Sequence, residues 1–217
     1  MTDQAVLRNN MVVSQLRPNK VVDQQVIDAM SSIARELFVP KALSTVAYID
    51  EDIAVAPGRY LIEPVCLARM VQAAEIGEGD IVLDIGSATG YSSAVLAQIA
   101  GTVVALENDE ALAAQAEKNL AELQIDNVAV MRGELTDGLA AQGPYDVIFI
   151  NGAVAGKIDG LLGQLADGGR LVCIWRTDAA GKAVLYSRTG DIVGQRELFD
   201  ASAILLPGFE PEKAFSL

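Results

Sequence analysis

The sequence contains no histidine. That one absence removes the commonest general base, the Ser-His-Asp triad and the commonest zinc ligand. Cysteine is almost absent too. Cys66 and Cys173 both stand in apolar runs without metal-ligand spacing, and are expected to be buried thiols in a reducing compartment. No metal is expected. Positive charge is scarce: 16 Lys and Arg stand against 29 Asp and Glu, a formal net charge of −13. A field of that sign repels phosphate backbones and acidic membranes, so neither nucleic acid nor membrane is an expected partner. No apolar run approaches the roughly 20 residues of a membrane span. The first ten residues are polar and lack an apolar signal core. The chain is therefore expected in the cytoplasm. Its chemistry must run on carboxylates, hydroxyls and amides, or on the reactivity of a bound cofactor.

What is present is an α/β pattern. Hydrophobic residues make up 51% of the 217, enough for one sizeable core. A single domain is expected, with residues 1–75 a helical N-terminal region and 76–217 an α/β core. Val12, Leu16, Val22, Val26, Ile27, Met30 and Ile33 keep helical spacing, and Pro40 closes that stretch. Tyr48 to Pro64 reads as irregular, with Pro57-Gly58 as a turn. Pro64 then starts a helix through Met70 to Ala74. Strands are expected at Ile81–Ile85, Val103–Glu107, Val128–Met131, Val147–Asn151 and Leu171–Trp175, and helices at Ser92–Ile99, Glu110–Leu123 and Lys157–Leu165. The strand runs are continuously apolar, as for strands covered on both faces of a doubly wound, Rossmann-like sheet. Ala183–Ser187, Ile192–Phe199 and Ala203–Leu206 read as antiparallel strands added at the sheet edge.

The most informative stretch runs from Val82 to Tyr91: a strand, a turn carrying Gly86, Ala88 and Gly90, then a helix. Glycines let a backbone approach a ligand, and a helix N-terminus presents unpaired N–H groups. Glu107 ends the next strand about 20 residues on, where a carboxylate can grip a ribose diol. Those two elements fit NAD or S-adenosyl-L-methionine. Asp84 before the turn, placed to orient a cationic ammonium, favours the latter. So does Glu134 after Gly133, placed to accept from an adenine amino group. Ser87 and Thr89 contact the cofactor or cap the helix, or both. Asn151 ends the fourth strand at the rim where ligands bind. The candidate cofactor residues are Asp84, Gly86, Ser87, Ala88, Thr89, Gly90, Tyr91, Glu107, Asn108, Gly133, Glu134 and Asn151. The expected fold is that of a class I S-adenosylmethionine-dependent methyltransferase, with an N-terminal helical extension and antiparallel C-terminal strands.

Beyond that turn the sequence resembles the protein-L-isoaspartate O-methyltransferases. Met11-Val12 with Gln15-Leu16, Ala29-Met30, Arg35 through Pro40 and Ala47 through Asp50 look like that family's N-terminal pattern. Gly58 and Pro64 bracket its substrate loop. Leu83 through Tyr91 is similar to its cofactor turn. Gly133 through Gly138, Pro144-Tyr145-Asp146, Gln164-Leu165 and Gly168 through Val172 keep its spacing. The resemblance covers roughly residues 11–175 and implies S-adenosyl-L-methionine, released as S-adenosyl-L-homocysteine, a protein or peptide substrate, and protein repair.

The substrate half departs from the family. Its loop hydroxyl is Ile62 here, within Arg59-Tyr60-Leu61-Ile62-Glu63. The middle glycine of the cofactor turn is Ala88, Gly-Asp-Gly is Gly133-Glu134-Leu135, and Pro-Val-Gly is Ile174-Trp175-Arg176. Tyr60, Leu61, Ile62 and Glu63 are the candidate residues of the substrate loop. Tyr60 donates a hydrogen bond or is packed away. Glu63 repels an anionic acceptor or is simply solvated. Arg59 and Arg176 bind a carboxylate or form surface ion pairs. Trp175 belongs to the core or to a lid. Besides isoaspartyl methylation, a different acceptor and a non-catalytic cofactor-binding protein remain open. A carboxylate acceptor with a pKa near 4 is ionised at neutral pH and needs no general base, which suits a chain without histidine.

Overall fold

The computed structural model describes residues 3–156, 158–177 and 180–211. Asp3 opens α1 (Gln4–Met11) by accepting from the Ala5 N–H, which satisfies one of the donors a helix start leaves free. A π-helical stretch (Val12–Leu16) and a 3-10 turn (Arg17–Asn19) follow. Asp23 caps α2 (Gln24–Ser32) in the same way. Val12, Leu16, Val26, Ile27, Met30 and Ile33 are buried, as their spacing predicts. Val22 is 77% exposed, because it precedes the Asp23 cap and never joins the helix.

The segment expected to be irregular contains an antiparallel hairpin. Its strands β1 (Ile53–Ala56) and β2 (Arg59–Leu61) meet through Pro57-Gly58, with Gly58 at φ +70°. Pro64 starts α3 (Pro64–Ala74), and the Val65 N–H donates to the Asp50 carboxylate at 3.0 Å. Proline is preorganised for a first helical turn.

Then come β3 (Ile81–Ile85), α4 (Tyr91–Ala97), β4 (Thr102–Glu107), α5 (Glu110–Glu122), β5 (Val128–Arg132), β6 (Tyr145–Val154), α6 (Asp159–Leu162), β7 (Leu165–Arg176), β8 (Gly181–Thr189) and β9 (Ile192–Asp200). The predicted strands other than Ala203–Leu206 are present, with β6 and β7 considerably longer. The predicted helix Lys157–Leu165 shrinks to the four residues of α6, and Lys157 lies outside the described residues. Leu165 instead begins β7.

The sheet order is β5-β4-β3-β6-β7-β8-β9. The first five strands are parallel, and β8 and β9 are added antiparallel. Alternate residues face opposite layers, as the pleat requires. Val82, Val103, Val147 and Phe149 pack with the N-terminal helices, α3 and α4 in one apolar cluster. Leu83, Ile85, Leu106 and Ile148 pack with Leu135, Leu161 and Phe209 in another. Burying such side chains contributes about 1.5–3 kcal/mol each. At the edge, β5 is half-exposed, so coverage on both faces fails there. Cys66 and Cys173 are free and buried, and burial pushes both thiols up to about 12.

Ala203–Leu206 is not the edge strand that its apolar run suggests. Ile204 O accepts from the Ala153 N–H, and the Leu206 N–H donates to Ala153 O, both at 3.0 Å, around an isolated parallel bridge between Ala153 and Leu205. The segment crosses the carboxyl end of β6. There the chain, having built β4 and β5 outward from β3, returns to place β6 on the other side of β3. Ligands bind at such switch points in open α/β sheets.

Candidate functional site

β3 brings Asp84 to the switch point, and the following turn holds Gly86 at φ +77°, Ala88 at +50° and Gly90 at +93°. Gly90 is required twice over: a Cβ there would also fall 3.1 Å from Ala116 Cβ. Ala88 adopts the left-handed region with a Cβ, which costs about 1–2 kcal/mol. Its N–H donates to Glu107 Oε2 at 2.7 Å.

The Asp84 carboxyl is fully buried. Its Oδ2 accepts from the Ser92 and Ser93 hydroxyls, both at 2.6 Å, and its Oδ1 has no partner. Burial pushes this carboxyl up to about 6, while the two hydroxyls hold it down. Ser87 Oγ is also buried without a partner. The Thr89 hydroxyl donates to Phe38 O at 2.6 Å. Neither side chain caps α4, whose cap residue is Gly90. Asn119, missed in the sequence, fixes the turn from α5 by donating to Thr89 O at 2.9 Å.

Glu107 ends β4 completely buried. Its Oε1 accepts from the Asn108 and Asp109 N–H groups at 2.9 and 3.1 Å and from Arg59 Nη1. Its Oε2 accepts from the Ala88 N–H and, at 2.6 Å, from Arg59 Nη2. Arg59 Nη1 also reaches Asn108 Oδ1 at 3.2 Å. Arg59 is 4% exposed, so the expected surface or substrate-binding arginine is instead buried against the carboxylate expected to hold ribose.

Asn151 lies within β6, which runs on to Val154. Its Nδ2 donates to Gly86 O at 3.2 Å and ties the two sides of the switch point together. The Gly133 N–H donates to Glu107 O at 3.2 Å, and Glu134 beyond it is exposed. Tyr91 takes no part in this cradle. Its buried ring meets Phe38 edge-on with centroids 5.5 Å apart and lies beneath the Arg35 guanidinium, in the N-terminal layer.

On the hairpin side, Tyr60 and Ile62 line a cavity of about 10 Å3 with Asp52, Asn151, Gly152 and Leu206. That admits one water at most. Strand alternation sends Leu61 the other way, into the core. Burial raises the Asp52 carboxyl, and burial with Asp50, Asp52 and Glu51 raises that of Glu63. Glu63 is half-buried beside acids rather than solvated. Arg176 is exposed and lines another cavity with Thr177 and Gly181. Trp175 is half-buried and lines a cavity of about 350 Å3 with Ile158, Leu162 and Tyr186.

These groups fit S-adenosyl-L-methionine. Asp84 Oδ1 and Ser87 Oγ are the orphaned buried atoms a cationic, hydrogen-bonding group would satisfy, and Glu107 is the acceptor a diol needs. Two side chains occupy the approach. Leu206 Cδ1 lies 3.0 Å and Arg59 Nη2 3.5 Å from where a Gly86 Cβ would stand.

The strand order, the glycine-rich turn after β3 and the carboxylate closing β4 define a class I S-adenosylmethionine-dependent methyltransferase. Within that class the chain belongs to the Protein-L-isoaspartate(D-aspartate) O-methyltransferase family, which residues 7–199 match. It is 38% identical to the Protein-L-isoaspartate O-methyltransferase of Koribacter versatilis over 172 residues, 79% of this chain and 78% of that one. It is 36% identical to Protein-L-isoaspartate O-methyltransferase 1 of Rhodopseudomonas palustris over 211 residues, 96% of this chain and 86% of that one. A solved protein-L-isoaspartate O-methyltransferase superposes with a TM-score of 0.80, covering 93% of this chain and 66% of that one at 24% identity. A Plasmodium falciparum structure described as such an enzyme in complex with S-adenosyl-L-homocysteine gives 0.76, covering 95% and 99% at 20% identity. At those identities the structural likeness is one of fold.

Proposed function

We propose that this chain transfers a methyl group from S-adenosyl-L-methionine to the carboxylate of an isoaspartyl residue in damaged protein. The family match over residues 7–199 carries the reading, and the buried polar groups around Gly86 support it. The cofactor supplies, when bound, a methyl group already activated on a sulfonium. In this reading Glu107 and Asn108 hold the ribose, Asp84 and Ser87 the cationic end, and Gly133 with Glu134 the adenine edge. Gly86, Ala88, Thr89 and Gly90 shape the turn, and Asn151 fixes it. No residue here has to remove a proton, because a carboxylate acceptor arrives ionised. The protein's contribution is alignment and exclusion of water. No metal is required. The N-terminal region and the α/β core act as one unit around the apolar cluster they share.

Among the described residues, no helix is long and apolar enough to cross a membrane. We place the enzyme in the cytoplasm on its acidic, cysteine-poor composition.

Incubation with an isoaspartyl peptide and S-adenosyl-L-methionine tests the function. Release of S-adenosyl-L-homocysteine that depends on the peptide is expected. Cofactor binding without peptide-dependent release would overturn the isoaspartyl assignment. A different acceptor is the second reading, favoured by the apolar Ile62 and the Asp52 carboxyl in the acceptor cavity. It predicts methylated products from cell extract with none from the peptide.

A further inference from the structure

We propose that Arg59 sets the affinity for the cofactor by competing with its ribose hydroxyls for Glu107. The inference rests on the reading of Glu107 as the ribose-holding carboxylate.

The argument is a count of hydrogen bonds. A carboxylate offers about four lone-pair sites. Glu107 already accepts five N–H groups: those of Ala88, Asn108 and Asp109, and two from Arg59. The three backbone donors are fixed by the turn and by the start of α5, so they cannot leave without unfolding the cradle. The two from Arg59 come from a side chain on a three-residue strand. A diol brings two O–H donors. Glu107 has no acceptor capacity for them until Arg59 leaves, when two O–H groups can replace its two N–H groups one for one.

Position and charge point the same way. Arg59 Nη2 stands beside Leu206 over Gly86, so the guanidinium blocks the approach as well as saturating the acceptor. A bidentate guanidinium–carboxylate pair is among the stronger hydrogen-bonded arrangements, and this one is buried at both ends. Its withdrawal is mechanically simple. Arg59 follows Gly58, which sits at φ +70° with nothing within 4 Å of a would-be Cβ, at the tip of the hairpin. Departing Arg59 takes one positive charge away from Glu107, and the cofactor's sulfonium and ammonium bring positive charge back. The cofactor therefore binds only the fraction of molecules in which the pair is open, and its apparent affinity falls by that fraction.

Calorimetry with S-adenosyl-L-homocysteine on the full chain tests this, comparing wild type, Arg59→Gln, Arg59→Lys and Glu107→Gln. If the open form is about 1–10% of the population, Arg59→Gln binds about ten- to a hundredfold more tightly than wild type. Arg59→Lys, which keeps the charge but loses the fork, falls between them. Glu107→Gln binds more weakly than Arg59→Gln, because it loses the acceptor as well as the competitor. Should Arg59→Gln not fold, Arg59→Lys decides the matter, and its melting temperature rises more with added ligand than that of wild type. Equal or weaker binding by both Arg59 variants, with wild type still binding, overturns the proposal and leaves the cofactor reading standing. No binding by any form overturns the cofactor reading and the proposal together.

Discussion

The Arg35 guanidinium lies 4.7 Å from the centre of the Tyr91 ring and donates to two carbonyls, Ala47 O from Nε and Ile62 O from Nη2, both at 2.8 Å. One buried cation thus joins the first residue of α4, the segment after β2 and the chain ahead of the hairpin. Its hydrogen-bond partners are carbonyls, and burial lowers its pKa, with Tyr91 and Asp52 opposing that shift. Arg35→Met should lower the unfolding free energy by about 2–4 kcal/mol. Two carbonyls and a cation–ring contact are lost, partly offset by relief of a buried charge. Urea unfolding with an unchanged m value measures it. A loss below about 1 kcal/mol would mean that the carbonyls find other donors.

Asp84 makes stability depend on pH in an unusual direction for a carboxyl group. Its pKa is about 6 in the folded chain against an ordinary 3.8, chiefly from burial. The folded state therefore holds the proton more tightly than the unfolded one, and each step from about pH 4 to about pH 6 favours unfolding. The full effect is about 3 kcal/mol. In Asp84→Asn that dependence is gone, so the stability of the variant minus that of wild type should climb across this window and flatten above it. A difference independent of pH would return Asp84 to an ordinary carboxyl.

Leu206 and Gly152 are a packed pair. A Cβ on Gly152 would fall 2.5 Å from Leu206 Cγ. Gly152→Ala should cost about 1–3 kcal/mol by overpacking, and Leu206→Ala about 2–4 kcal/mol by leaving a void. In the double variant the clash is gone, so the combined loss should be smaller than the sum by about 1–2 kcal/mol. Strict additivity in thermal or urea unfolding would show that Leu206 does not rest on Gly152 in solution.

Methyl transfer should be indifferent to excess chelator. Among the described residues, no three of His, Cys, Asp or Glu converge on a point that would hold a metal ion. Loss of turnover with chelator and its return with magnesium or zinc would place a metal in the mechanism.

The sequence made the cofactor half legible because its signals are local. Glycine spacing in the turn and the continuously apolar strand runs each act within a few residues. What it concealed is tertiary. Arg59 and Glu107 are 48 residues apart, and nothing near Arg59 marks an arginine that will be buried. Ala203–Leu206 has the composition of a strand, but its backbone bonds go to Ala153 across the top of the sheet, a choice made by the fold. The hairpin escaped notice because its strands hold only four and three residues, too short for a periodicity to show. Tyr91 sits next to the turn in sequence, yet as the first residue of α4 it packs its ring among the N-terminal helices.

Residues 60–63 give the last prediction. Ile62 stands where the resembling family has a hydroxyl. Its side chain is 3% exposed and lines the small cavity with Tyr60 and Asp52. It cannot donate to an acceptor oxygen, and a missing donor of that kind costs about 1–3 kcal/mol, or roughly ten- to a hundredfold in rate. Ile62→Ser should therefore raise turnover of an isoaspartyl peptide by about that factor. Cofactor affinity should not change, since Ile62 lines the small cavity with Tyr60 and Asp52 and makes no hydrogen bond to Glu107, which is held from Arg59. The variant gives up buried apolar surface, so its melting temperature should fall while its activity rises. The opposed directions separate a site effect from a stability effect. Wild type that already turns the peptide over efficiently, with a serine variant no better, would show that Tyr60 or a backbone N–H already supplies the missing donor.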